Sequence, residues 1–337
     1  MINNLHTVIL LILATLLSGC ATTQFDRAGA KNLATAGQFA TKALQQQTAQ
    51  VTSSLIILPI TFSVNEILNC RGVKDPVLRK GCISDAATLD SRIEAQRKIL
   101  SDILEKRQNA LAALNGAYTS FGDLATYDAG QSTATAIDNA FGKINTLAGA
   151  MGPILPAGVV IAPITATMSK VFGGLGALAA DQRQAKLILP ASKDLHVAVD
   201  SMIKVLKSEK DSVAMKSLMG ELQDTVHRLE SSTLDAGLGS SMGVLTTFYS
   251  KVAPDIALTS SPEPANTDLA AAAAKQVLKQ TMSTRKQDIE STYERAISAL
   301  LAVRAEHQRL ETQQGVDVSL VLIEAQHLRD ITKNLGK

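Results

Sequence analysis

The chain has 337 residues, and its 33 basic against 31 acidic side chains leave a formal charge of +2. That balance excludes the concentrated basic footprint of a nucleic-acid binder; Lys204, Lys207 and Lys210 come closest, but Glu209 and Asp211 interrupt them, and the stretch reads as a solvated helix face. Aromatic residues make up 3% and Trp is absent, which argues against sugar platforms, aromatic cages and base-stacking surfaces and, with abundant Ala, Leu and Gln, favours closely packed helices over sheets.

The first nineteen residues carry no Asp, Glu, Lys or Arg, and Val8 to Leu17 form an apolar run. Its length suits a signal-peptide core and falls short of the ~20 residues of a spanning helix. The run ends in Leu17-Ser18-Gly19-Cys20. This tetrad resembles the lipobox of bacterial lipoproteins, in which a branched apolar residue and two small residues precede an obligatory Cys. The head of the signal departs from that pattern in having no Lys or Arg, only the α-amino group and His6. The resemblance implies cleavage before Cys20, diacylation of its thiol and acylation of its new amine. Two or three acyl chains hold a protein durably at a membrane. Ala21 follows the Cys where Asp would favour inner-membrane retention in such lipoproteins, so the resemblance implies the outer membrane, with the periplasmic face expected.

With Cys20 assigned to lipid, Cys70 and Cys82 remain. An oxidising envelope permits a disulfide between them, closing a turn-rich segment with Gly72, Pro76 and Gly81; the alternative is two free thiols. No further ligands for a metal are visible near them.

After a tether, Ala21 to about Arg27, the pattern is helical almost throughout, and residues 28–337 read as one helical-bundle domain. The first helix is expected from about Ala28 to Leu58, with Leu33, Ala36, Ala40 and Ala43 on one face and Gln45 to Gln47 toward solvent. The second begins near Ser84. Its Leu100, Leu104, Arg107, Leu111, Leu114, Tyr118, Phe121 and Ala125 alternate spacings of four and three, a coiled-coil-like seam with Arg107 its single charged member. Such a seam implies a partner helix, expected within the chain. A third helix covers about Ser132 to Met151. Beyond Pro190, a helix is expected from Ser192 to about Asp235, lined first by Leu195, Val199, Met202 and Leu206, then by Leu218, Leu222, Val226 and Leu229, with a break at Lys207 to Asp211. A short helix, Met242 to Ala253, precedes a linker with three prolines from Pro254 to Asn266. The last long helix runs from about Thr267 to Gln313 with Met282, Ile289, Tyr293, Ile297, Leu300 and His307 on its seam. Gly315 ends it, and Asp317 caps a final helix to Asn334. The fold expected is all-α: an elongated bundle of four to five long helices.

Ile144 to Ser169 is 26 residues without a charge. Pro153, Pro156 and Pro163 divide it into pieces too short to cross a bilayer, so it reads as two helical arms meeting at an apolar Pro/Gly turn, a hairpin over about 144–180. Either the hairpin is the buried end of the bundle, or Ile154, Leu155, Val159, Val160 and Ile161 form an apolar tip that contacts a membrane or partner protein. The second possibility has an architectural likeness to α-helical pore-forming toxins.

Candidate chemistry is sparse. Gly239-Ser240-Ser241-Met242-Gly243 has nucleophile-elbow spacing but lacks the strand that must feed such a turn. Glu324 and His327 form one E-x-x-H where a di-iron bundle needs two. Gly173-Gly174-Leu175-Gly176 lacks the Lys of a phosphate loop. The sequence therefore points to a non-enzymatic envelope lipoprotein with a structural or protein-interaction role; the alternative is a membrane-active, pore-forming-like helical protein that uses the 144–180 hairpin. The lipoprotein needs no cofactor, metal, nucleic acid or small-molecule substrate; its partners would be the membrane, through Cys20, and another protein.

Overall fold

The computed structural model describes residues 27–53, 70, 73–127, 129–155, 160–173, 180–217, 220 and 267–335. Cys20, Val159, the Ser241 motif, the Leu218 to Leu229 face, the Met242 to Ala253 helix and the proline-rich linker lie outside them. Among the described residues the regular structure is helical, with no strand: α1 (27–53), α2 (Pro76–Thr126), α3 (Gly130–Ala150), α4 (Met168–Gly173), α5 (Ala180–Asp211), α6 (Thr267–Glu311) and α7 (Ser319–Leu335). The chain is an all-α bundle.

Side-chain contacts fix its topology. Asn115 of α2 bonds Thr41 of α1 at 2.8 Å, while Arg107 bonds Thr48 at 3.0 Å, so α1 and α2 are antiparallel. Gln184 bonds the Leu124 carbonyl, and Glu209, further along α5, bonds Arg107, so α5 also opposes α2. Arg107 reaches Tyr293 and Tyr118 reaches His307, so α6 runs parallel to α2. One end of the bundle thus gathers the start of α1, the α2–α3 turn, the start of α5 and the α6–α7 turn.

The seam on α2 is buried from Leu100 to Ala125, Arg107 included, and faces helices of the same chain. Its partners α1, α5 and α6 supply Leu33, Ala36, Ala40, Leu195, Val199, Met202, Tyr293 and Leu300 to one continuous core. At Gly37 the approach is closest, where a Cβ would come within 2.4 Å of the Tyr118 ring.

Several boundaries differ from the sequence reading. Helix α2 starts at Pro76, because the Asp75 carboxylate accepts from the Val77 and Leu78 amides and Pro at the first helical position forfeits only an unused donor. Helix α5 starts before Pro190 and passes through it. The proline frees only the carbonyl of Lys186, an exposed residue. The same helix continues through Lys207 to Asp211 and breaks at Ser212, whose hydroxyl accepts from the Met215 amide at 3.1 Å. Gln47, expected in solvent, is buried. Asp317 does cap α7, accepting from the Ser319 amide at 3.1 Å.

Candidate functional site

Among the described residues the uncharged middle leaves α3 and re-enters helix at α4, with an irregular Pro-containing stretch between them. Helix α3 ends at Ala150, a 3-10 turn covers Gly152–Ile154, and residues 160–167 carry no regular secondary structure before α4. Pro163 has no amide to give a helix and disfavours helical backbone at Ala162. At Ile164, Thr167 and Met168 polar groups of this run bond to side chains of the flanking helices. Asn145 of α3 donates to the Ile164 carbonyl at 2.8 Å and accepts from its amide at 2.9 Å. Asp194 of α5 accepts from the Thr167 amide and hydroxyl, both at 2.8 Å, and from the Met168 amide at 2.7 Å. It serves as a remote N-cap for α4.

Of the proposed tip residues, Ile154 is buried and Leu155 and Ile161 are half-buried against the core, whereas Val160 is 82% exposed. Among the described residues of this segment, Ile164 and Ala166 are also half-buried against the core, whereas Ala162 and Pro163 are exposed. Among the described residues no helix is long and apolar enough to cross a membrane.

Two polar layers interrupt the core. In the lower one the Arg107 guanidinium donates to Glu209 Oε1 and Oε2 at 2.9 and 3.0 Å, to Tyr293 Oη at 3.1 Å, to Gln47 Oε1 at 3.1 Å and to Thr48 Oγ1 at 3.0 Å. Tyr293 donates to Glu209, and Gln47 donates to Thr292 at 3.2 Å. Four helices meet at this one cluster, and the Arg107 and Glu209 side chains are fully enclosed. Burial by itself would lower the Arg107 pKa, but the Glu209 carboxylate and the Tyr293 hydroxyl outweigh it and hold it above its ordinary value. Burial raises that of Tyr293. The layer is a charged pair with neutral satellites, each group met by another.

The upper layer centres on His307. Its Nε2 lies 2.8 Å from Tyr118 Oη and its Nδ1 lies 2.8 Å from Ser192 Oγ. The His196 ring stacks at 6.3 Å between centroids. Burial, with a smaller push from His196, lowers the His307 pKa to about 3, and burial raises that of Tyr118. A Ser–His contact invites comparison with hydrolytic sites. Here both ring nitrogens are engaged by hydroxyls, no carboxylate among the described residues orients the ring, and Ser192 and His307 are wholly enclosed. An imidazole so poorly basic is also a weak general base at neutral pH. The arrangement packs and orders the core.

The remaining sequence candidates are placed plainly. Cys70 and Cys82 form a disulfide with Cα atoms 5.7 Å apart, Cys82 lying inside α2 rather than at the end of a loop. Glu324 pairs with Arg295 at 3.3 Å rather than with a metal partner, and among the described residues no group of His, Cys, Asp and Glu is disposed to hold a metal. Near the lower layer a cleft of about 420 Å³ is lined by Lys210, Lys216, Lys286, Glu290 and Glu294, with Lys210 paired to Glu294 at 2.7 Å. Glu209, read with its lysine neighbours as solvated, is the buried counter-ion of Arg107. Sequence reasoning missed Asn145 and Asp194 as anchoring residues. No protein-family model, curated protein or solved structure matches this chain.

Proposed function

We propose that the chain is a lipoprotein of the bacterial cell envelope, held to a membrane by lipid on Cys20, whose helical bundle has a structural or protein-interaction role and performs no catalysis. The observation that carries this reading is the Cys70–Cys82 disulfide. Such bonds persist in oxidising compartments, which agrees with the export that the lipobox implies. The two polar layers support a structural role, since their charged and hydroxyl groups are spent on one another across four helices. The exposed Val77 and Leu78 at the start of α2, at the end of the bundle opposite the start of α1, support an interaction role away from the anchor.

Metabolic labelling with palmitate tests the reading. The wild-type chain takes up label and fractionates with the outer membrane, and Cys20→Ala abolishes the label and releases the protein. Equal labelling of the two would overturn it.

A further inference from the structure

The anchor on Cys20 would restrict which part of the bundle meets the bilayer. The described part of α1 begins at Arg27, seven residues beyond Cys20, so the intervening chain can reach at most about 25 Å. The start of α1 lies against the α6–α7 turn: a Cβ on Gly29 would come within 3.1 Å of Val316 Cγ2. One turn beyond Val316, α7 opens with Leu320, Leu322 and Ile323, which are 55%, 40% and 49% exposed.

These three are not the packed face of α7. Val321, Ala325 and Leu328 fill that role and are fully buried. At 100° per residue, Ile323 stands opposite that face, with Leu320 and Leu322 on its two flanks, Leu320 the nearer to Ile323. The apolar outer face stops after one turn, because Gln326, His327 and Asp330 follow it and are polar. A stripe along the side of the bundle would suit a partner helix, whereas an apolar first turn at one end suits a surface met end-on. Tyr127, 56% exposed in the α2–α3 turn, lies at the same end. Tyrosine favours the boundary between lipid headgroups and acyl chains.

We propose that this end of the bundle docks on the lipid bilayer, with Leu320 and Ile323 entering the headgroup–acyl boundary and Leu322 and Tyr127 flanking them. The proposal rests on the Cys20 anchor and adds an orientation to it. The short tether alone would let the bundle tumble over the membrane, and the docked end would stand it upright. The disulfide and the exposed Val77 and Leu78 would then face away from the bilayer.

The chain has no Trp, so Leu320→Trp, Ile323→Trp and Val77→Trp each introduce a sole reporter at a half- or fully exposed position. Each full-length lipidated variant is reconstituted with vesicles of phosphatidylethanolamine and phosphatidylglycerol. Quenching by lipids brominated in the acyl chains is then measured. Fluorescence from Trp at 320 and at 323 is expected to shift blue and fall at least twofold, with Trp at 77 unaffected. Vesicle-bound protein with all three reporters unquenched would overturn the docking and leave the anchor standing, and so would quenching at 77 alone. A blue shift at 323 without quenching would mean that protein, such as a second copy, covers the face, and would also overturn it. Protein that fails to float with vesicles would remove the anchor and the docking together.

Discussion

Glu209→Leu isolates the cost of a stranded buried charge. The substitution removes the acceptors of two Arg107 bonds, at 2.9 and 3.0 Å, and the acceptor of the Tyr293 hydroxyl. The guanidinium stays fully enclosed with only Gln47, Thr48 and Tyr293 for company. Breaking one partner of a buried pair costs about 3–5 kcal/mol, a large share of the ~5–15 kcal/mol that holds a typical domain folded. Arg107→Met costs a similar amount, because Glu209 keeps only the Tyr293 donor. Replacing both charges leaves neutral groups unmet, at about 1–3 kcal/mol, so the double variant should be more stable than the summed singles imply by at least about 3 kcal/mol. Urea titrations followed by circular dichroism at 222 nm on all four proteins measure this. Single effects below about 1 kcal/mol, or effects that add within about 0.5 kcal/mol, would refute the picture of a desolvated, interdependent pair.

Three further outcomes follow from the core and its latches. His307 is held neutral with its pKa lowered to about 3, while the unfolded chain protonates near its ordinary value of about 6.5. The stability this residue allows is therefore intact above about pH 6.5 and falls as pH drops toward 3, by up to about 1.4 kcal/mol per pH unit; His307→Gln should flatten that part of the pH–stability curve, and an unchanged slope would contradict the assignment. Gly37→Ala drives a methyl into the Tyr118 ring and should cost at least about 1–3 kcal/mol, whereas Gly116→Ala on exposed α2 meets nothing and should gain up to about 1 kcal/mol in thermal unfolding. Asp194→Ala removes three acceptor contacts from Thr167 and Met168, so hydrogen exchange at those two amides should speed up at least tenfold while the core of α2 stays protected.

The helical class and the α2 seam were legible because 4–3 spacing places one stripe on one side of a helix whatever its partner. The same spacing held the clue to the lower polar layer. On α5 the series Leu195, Val199, Met202, Leu206 continues in phase to Glu209, and on α1 the series Leu33, Ala36, Ala40, Ala43 continues to Gln47. Charge and polarity drew both residues toward solvent in the reading, but phase governed their burial once Arg107 stood opposite. The start of α2 was signalled by Asp75-Pro76 and obscured by the glycines around it. The irregular run over 160–167 was not legible, since its backbone is held by Asn145 and Asp194, and nothing local in the sequence announces a partner 19 or 27 residues away. Likewise the Ser192–His307–Tyr118 layer joins three helices far apart in the chain, where spacing carries no information about contact.

The central claim is that this bundle works from a lipid-bearing Cys20. Mass spectrometry of the N-terminal peptide from the membrane fraction tests it most directly. The expected species begins at Cys20 and carries a diacylglycerol thioether with an acylated amine. A chain that retains residues 1–19, or one whose Cys20 is unmodified, would contradict it.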